Sequence, residues 1–280
     1  GFRAVPGRHA AIPSSGEGAA ALAGVLACIG TPAEPWDVGA LPAALRRGTY
    51  RIDTDLDGAT ATALCIGWGL GTYTFTRYKP GAAKLFATLE VPSACDVGQA
   101  RRAIAATFFA RDLINTPAED LGPAELADAA LAMARPLRAR ARVIAGEDLL
   151  AGNLPAIHAV GRASPRAPRL IDLRWGRRSA PRLTLVGKGV CFDTGGLNIK
   201  PAAGMRLMKK DMGGSAVVLG LAHMIMDAGL DVRLRVLIPA VDNNIDGNAL
   251  RPGDVIPTRK GLSIEIGNTD AEGRVVLADA

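Results

Sequence analysis

Val186-Gly187-Lys188-Gly189-Val190-Cys191-Phe192-Asp193-Thr194-Gly195-Gly196-Leu197-Asn198-Ile199-Lys200 is the stretch on which the fold of this chain turns. It opens at the end of an apolar strand predicted over Arg182 to Gly187 and runs into a glycine-rich loop. In α/β proteins ligands gather at the carboxyl ends of strands. Glycines on both sides of Lys188, and the pair after Asp193, let the backbone approach a ligand where a Cβ would obstruct it. A phosphate cradle competes for this reading, but the residue order does not fit G-x-x-x-x-G-K-[ST], and Asp193 would repel a phosphate.

Moving outward, Asp211 stands before Gly213-Gly214 at the head of a helix predicted over 213–228, where a helix cap would explain it by itself. Two further carboxylates arrive in Asn268-Thr269-Asp270-Ala271-Glu272-Gly273-Arg274, directly after an apolar strand at Leu262 to Ile266. Asp270 and Glu272 are two apart, so both can turn to one point if the backbone is extended. Four carboxylates converging at strand ends repel one another unless cations neutralise them, so a shared site implies metal. Ligation rich in carboxylates and without histidine favours Mn²⁺, Mg²⁺ or Zn²⁺. His9, His158 and His223 lie outside these motifs and no H-E-x-x-H occurs, which argues against a single-zinc protease of that type.

The 280 residues suffice for one large domain or two ordinary ones. Apolar residues make up 49% and aromatics 4%, so the core is built from Ala, Leu, Val and Ile. Residues 1–97 read as a small N-terminal α/β domain, with helices near 19–29 and 59–69 and a break at Lys79-Pro80-Gly81. Residues 98–118 form a connecting helix ending before Pro117, and 119–280 a catalytic domain. In the latter, Pro123 opens a helix to Ala134, Ala141 to Ala145 is a strand, and Arg169 to Trp175 and Arg182 to Gly187 make an antiparallel pair. The helix over 213–228 then leads to a strand at Val232 to Pro239. The fold class expected is α/β, a mixed sheet with helices on both faces.

The net charge of +6 and the run Arg162, Arg166, Arg169, Arg174, Arg177, Arg178 and Arg182 raise nucleic acid as a partner. Only Trp175 interleaves, and a solvated face over a loop and strand pair is the competing reading. Four scattered cysteines without C-x-x-C spacing suggest neither zinc ribbon nor disulfide framework, and fit a reducing cytoplasm. The longest apolar stretches, 19–30 and 216–226, fall short of the about 20 residues a bilayer requires, so no membrane partner is expected.

At the level of motifs the chain resembles the leucyl (cytosol) aminopeptidase family of two-metal peptidases. The hallmark is Asn-Thr-Asp-Ala-Glu-Gly-Arg at 268–274, joined by 186–200, by Lys210-Asp211-Met212-Gly213-Gly214, and by Ala110-Arg111-Asp112-Leu113-Ile114-Asn115-Thr116-Pro117-Ala118. These cover the chain from about residue 100 onward. The first domain is similar only loosely, through Leu70-Gly71-Thr72-Tyr73 and Arg77-Tyr78-Lys79.

The resemblance implies that Lys188, Asp193, Asp211 and Glu272 ligate one divalent ion (Mn²⁺ or Zn²⁺), and that Asp193, Asp270 and Glu272 ligate the other. Lysine as a ligand must fall from a reference pKa of about 10.4, which an adjacent dication can drive. It further implies attack by a metal-activated water on the carbonyl of a peptide's first residue, with the paired ions about 3.5–4 Å apart. Lys200 would stabilise the oxyanion, and Arg274 would hold bicarbonate as a proton relay. The substrate's α-amine would lie on one metal near Asp211, and Met208 would line the pocket for an apolar first side chain such as leucine. A homohexamer acting on peptides is the implied assembly. Because the family continues past the position of Ala280 and the chain opens at Gly1 without Met, a longer natural protein is expected. A non-catalytic or truncated relative that binds nucleic acid through residues 162–182 is the alternative.

Overall fold

In the computed structural model, residues 3–13, 22–79 and 84–280 are described. The chain divides into two units, Gly1–Phe108 and Phe109–Ala280, with the division falling inside one long helix.

In the first unit β1 (His9–Pro13) pairs antiparallel with β2 (Leu22–Ala27). The helix expected near 19–29 is therefore a strand over Leu22–Ala27, while Ala19 to Ala21 lie outside the described residues. A short apolar run carries no period that separates strand from helix, and pairing with β1 decides it. Pro80 and Gly81 of the expected break also lie outside the described residues. After α1 (Leu41–Ala44), β3 (Thr49–Tyr50) precedes α2 (Gly58–Gly71), and β3 pairs in parallel with β4 (Thr88–Leu89). Asp57 caps α2 by accepting from the Thr60 N–H at 2.7 Å. The core here is Val38, Leu41, Leu64, Trp68 and Ala87.

The long helix α3 spans Val97–Asn115, where a helix is expected from about Gly98 to Asn115. Beyond it come α4 (Pro123–Ala134), β5 (Arg140–Ala145), α5 (Asp148–Ala151), α6 (Pro155–Gly161), β6 (Arg169–Trp175), β7 (Arg182–Val186) and β8 (Gly189–Asp193). Then follow α7 (Ala202–Met205), α8 (Gly213–Asp227), β9 (Arg233–Asn243), β10 (Val255–Pro257), β11 (Ser263–Glu265) and α9 (Glu272–Asp279). Pro123 opens α4, and Glu125 accepts from the Gly122 N–H at 3.0 Å.

The five-stranded sheet runs β5-β6-β9-β7, with β8 also on β9. This corrects the expected β6–β7 hairpin. β9 lies between them, antiparallel to β6 and parallel to β7. The eleven residues of β9 are buried almost throughout, and such a strand takes the centre of a sheet covered on both faces. The β7-α8-β9 segment is then a parallel crossover unit.

Alternation along β9 sorts the two faces. Leu234, Val236, Ile238 and Ala240 face α4 and α8, whose Leu126, Ala130, Leu219 and Ala222 are fully buried against them. Leu237 and Val241 face α6 and α9, with Ile157, Val160 and Val276. Asp279, itself buried, accepts from the Ala156 and Ile157 N–H groups at 2.7 and 3.2 Å, tying the end of α9 to the start of α6.

Candidate metal centre

The acidic cluster sits at the carboxyl ends of β8 and β9. Asp193 and Asn243 are register partners there. Asp193 is 2% exposed, so its carboxylate must find partners inside the protein. Its Oδ1 accepts from the Gly195 N–H and from Asn243 Nδ2, both at 2.8 Å. Its Oδ2 lies 2.9 Å from Lys200 Nζ. The glycine pair after it turns through left-handed backbone, with φ of +90° at Gly195 and +63° at Gly196. The turn closes where the Lys200 N–H donates to the Thr194 carbonyl at 2.9 Å.

Lys188 enters from a break in the same edge. β7 pairs with β9 as far as Val186↔Leu237, and β8 resumes at Gly189↔Ala240. The stretch expected to run from the end of a strand into a glycine-rich loop carries a second strand, β8, before the loop starts at Thr194. Opposite the break stands Pro239, which has no N–H to donate to a ladder. The Lys188 carbonyl accepts instead from Ser215 N–H at the head of α8, 2.9 Å away. Its side chain reaches Asp211 Oδ2 at 2.7 Å and Glu272 Oε1 at 2.8 Å.

Asp211 belongs to a 3₁₀ turn over Met208–Met212, and α8 has no side-chain cap. The capping role that would explain Asp211 alone is therefore not taken, and its carboxylate is spent on Lys188. Asp270 and Glu272 arrive through a second 3₁₀ turn, Thr269–Ala271, which Asn268 caps by accepting from the Asp270 N–H at 2.8 Å. The backbone is turned there, not extended as expected, and it still delivers both carboxylates to one place. Asn198 and Thr269 bind this turn to the 194–200 loop through a 2.8 Å bond in each direction.

The charge pattern is an alternating set. Lys188 bridges Asp211 and Glu272, and Lys200 bridges Asp193 and Asp270. Burial works against the charge of both ammonium groups, but their carboxylate partners outweigh it and hold both pKa values above the usual lysine range. Burial pushes the Glu272 carboxyl up, with Lys188 opposing and Asp193 adding to the rise. Oxygen atoms of Asp193, Asp270 and Glu272 lie within 4.8 Å of one another. Asp193 and Glu272 are buried and Asp270 is exposed, and hard divalent ions with oxygen contacts of about 2.0–2.6 Å would suit such a donor set.

Arg274 lies exposed in the first turn of α9 and makes no ion pair among the described residues. Met208 is half-buried at the start of the turn that carries Asp211. The arginines at 162–182 do not form one surface. Arg166 binds the backbone of Ala118 and Glu119, Arg162 donates to the Asn248 carbonyl, and Arg177 pairs with Asp231. Asn243 and Thr269 were not singled out from the sequence, although Asn243 Nδ2 donates to Asp193 and to the Thr269 carbonyl and lies 3.5 Å from Glu272 Oε2. An asparagine ending an apolar strand was the available clue.

Comparison with known proteins shows the family of the chain. The model of the cytosol aminopeptidase family, catalytic domain, matches residues 108–280, and that of the M17 aminopeptidase N-terminal domain matches residues 1–92. A curated relative named "Probable cytosol aminopeptidase" from Allorhizobium ampelinum is 37% identical over 87% of this chain and 53% of its own length. Another of that name from Rhizobium rhizogenes is 40% identical over 80% of this chain and 48% of its own. The crystal structure of cytosol aminopeptidase from Coxiella burnetii is 48% identical, with a TM-score of 0.91, across all of this chain and 60% of that one. The bottromycin maturation enzyme BotP, solved in complex with Mn, is 35% identical with a TM-score of 0.84, across all of this chain and 63% of its own. The chain spans about half the length of the curated relatives it matches. It belongs to the cytosol aminopeptidase family.

Proposed function

We propose that this chain carries the metal-binding part of an aminopeptidase that removes the first residue of peptides, with leucine and other apolar residues preferred. The observation that carries the proposal is the alternation of Lys188 and Lys200 with Asp193, Asp211, Asp270 and Glu272 at strand ends. Lys188, Asp193, Asp211 and Glu272 would hold one divalent ion, and Asp193, Asp270 and Glu272 the other. Mn²⁺ or Zn²⁺ suits this donor set, and a related enzyme was solved with Mn. When bound, such a pair supplies Lewis acidity and lowers the pKa of water.

The chain's own residues would do the rest. Asp193 and Glu272, both buried, keep the site anionic until cations arrive. Lys188 would yield its proton on taking up the role of ligand. Lys200, which pairs with Asp193 and Asp270, would present its ammonium to the negative charge that develops on the substrate carbonyl oxygen. Arg274, exposed and unpaired among the described residues, is free to hold a small anion such as bicarbonate in its planar fork. Asp211 would meet the substrate's α-amine, and Met208 its first side chain. Resemblance to the family supports a homohexamer and a cytoplasmic setting. Among the described residues no helix is long and apolar enough to cross a membrane.

Hydrolysis of Leu-p-nitroanilide with added Mn²⁺, compared between this chain and a version extended to the relatives' length, tests the reading. Loss of activity on chelation and recovery with Mn²⁺ is the expected result. Inactivity of the extended protein with both metals, and no anomalous scattering near Asp193 and Glu272, would refute it. The nucleic-acid reading through residues 162–182 has less support, since Arg162, Arg166 and Arg177 are engaged within the protein.

A further inference from the structure

One face of the sheet carries its positive charge far from the acidic cluster. Beyond the part of the β9 face that α6 and α9 cover, the inward pattern of Leu170, Leu237 and Ile144 gives way to arginine at the same two-residue period. Arg140, Arg174 and Arg235 stand directly opposite one another across β5, β6 and β9, and Thr184 of β7 completes the row. In the next row Arg182 is the register partner of Arg233. Arg138 and Arg178 stand on the rim of the same concavity, a bowl of about 800 Å³.

Like charges directly opposite in a sheet are destabilising, and here the same repulsion is repeated along two rows. The described residues offset it with a single carboxylate. Asp172, 7% exposed, takes Arg174 and Arg235 at 2.8 and 2.9 Å. Arg138, Arg140, Arg178, Arg182 and Arg233 have no ion-pair partner among the described residues. A concave site with guanidinium forks from several directions and one hydroxyl concentrates positive potential where a compact anion would sit. Its volume lies within the range of small-molecule sites, roughly 300–1,000 Å³.

We propose that this arginine bowl binds an oligophosphate, that is, a chain of two or more linked phosphate groups, at a site separate from the metal centre. A single carboxylate or orthophosphate would engage one or two forks and leave the others repelling. A linked phosphate chain brings three or more charges into the space where the two arginine rows converge. The concavity favours it over duplex nucleic acid, whose phosphates lie on a convex surface and reach a flat or ridged protein face more readily than the floor of a bowl.

The test uses the full 280-residue chain, stripped of metal with EDTA and desalted so that the probe cannot bind through ions at the acidic cluster. Sodium tripolyphosphate, orthophosphate, ATP and a 20-base-pair duplex are titrated calorimetrically in about 150 mM salt, where the screening length is about 8 Å. Tripolyphosphate is expected to bind once per chain, at least tenfold tighter than orthophosphate. Arg140→Gln/Arg182→Gln should weaken it at least tenfold, and Asp193→Asn should leave it unchanged. Equal affinity for ATP and tripolyphosphate would identify the phosphate chain as the whole ligand. Tighter ATP binding would identify a nucleotide, and either result supports the site. Without ligand the arginine variant should melt no lower than the parent, because it relieves repulsion. Should it fail to fold, Arg138→Gln/Arg178→Gln, outside the strands, gives the same test with at least threefold weakening expected. Absence of tripolyphosphate binding, binding that both arginine variants leave intact, or tighter binding of the duplex would overturn the proposal.

Discussion

Gly273 and Lys188 occupy one space: a Cβ built on Gly273 would stand 2.7 Å from Cε of Lys188 and 2.8 Å from its Nζ. Glycine at this place in α9 is therefore a condition for the lysine to reach both Asp211 and Glu272. Lys188 is a flexible side chain, so Gly273→Ala should fold with the lysine displaced. We expect a small change in Tm and a loss of Mn²⁺ affinity of about tenfold or more, in the range seen when a supporting residue of a metal site is altered. Calorimetric titration of Mn²⁺ beside a melting curve separates the two effects. A large fall in Tm with unaltered metal affinity would contradict this account.

Asp270 and Arg274 are four residues apart and have different neighbours, Asp270 paired with Lys200 and Arg274 open to solvent. Asp270→Ala should lose metal and activity together. Arg274→Ala should retain metal and lower kcat in the extended protein. Metal content by atomic absorption and kcat on Leu-p-nitroanilide, measured on the same preparations, check both. Equal loss of metal in the two variants would show that the division of roles is wrong.

Much of this site was legible because its chemistry is local in the chain. Lys188, Asp193 and Lys200 share one stretch, and Asp270 with Glu272 another, so each group could be recognised without knowing the fold. Strand pairing was less legible. β6 and β7 are neighbours in sequence with a short polar connection, which is the usual mark of a hairpin, and β9, which starts forty-seven residues beyond the end of β7, inserts between them. Nothing local announces such an insertion, because the competition among strands for the centre is settled by burial of the whole of β9. Asn243 was missed for the same reason: its importance comes from register with Asp193 across fifty residues.

That register gives Asn243 a testable weight. Its amide donates to the buried Asp193 and to the Thr269 carbonyl, at 2.8 and 3.1 Å. Asn243→Ala takes this donor from the Thr269 carbonyl and leaves Asp193 with the Gly195 N–H and Lys200, which costs about 1–3 kcal/mol. We expect that loss in urea unfolding of the metal-free protein, together with weaker Mn²⁺ binding, since Asp193 would no longer be held in place. Asn243→Asp should be worse without metal, because it adds another carboxylate, and should recover part of its stability as Mn²⁺ is added. A metal-independent deficit in Asn243→Asp would count against the site.

Asp172 provides a pH test away from the metal centre. Burial raises its carboxyl, but the bonds and charges of Arg174 and Arg235 outweigh that and hold it below the usual carboxylate range. A depressed folded-state pKa means that the unfolded chain binds the proton more readily. The stabilisation is therefore complete above the unfolded value, about 3.9, and is lost as pH falls through the folded one. Because the arginines are 61% and 42% exposed at their side chains, the contribution is discounted to about 1 kcal/mol. Asp172→Asn should accordingly lower stability at pH 7 by about that amount. The gap from the parent should close below about pH 4, as the parent's carboxyl takes up its proton. Urea unfolding at pH 7, 5, 4 and 3 measures the gap directly. A gap that stayed constant over this range would mean that Asp172 acts by shape or packing and not by its charge.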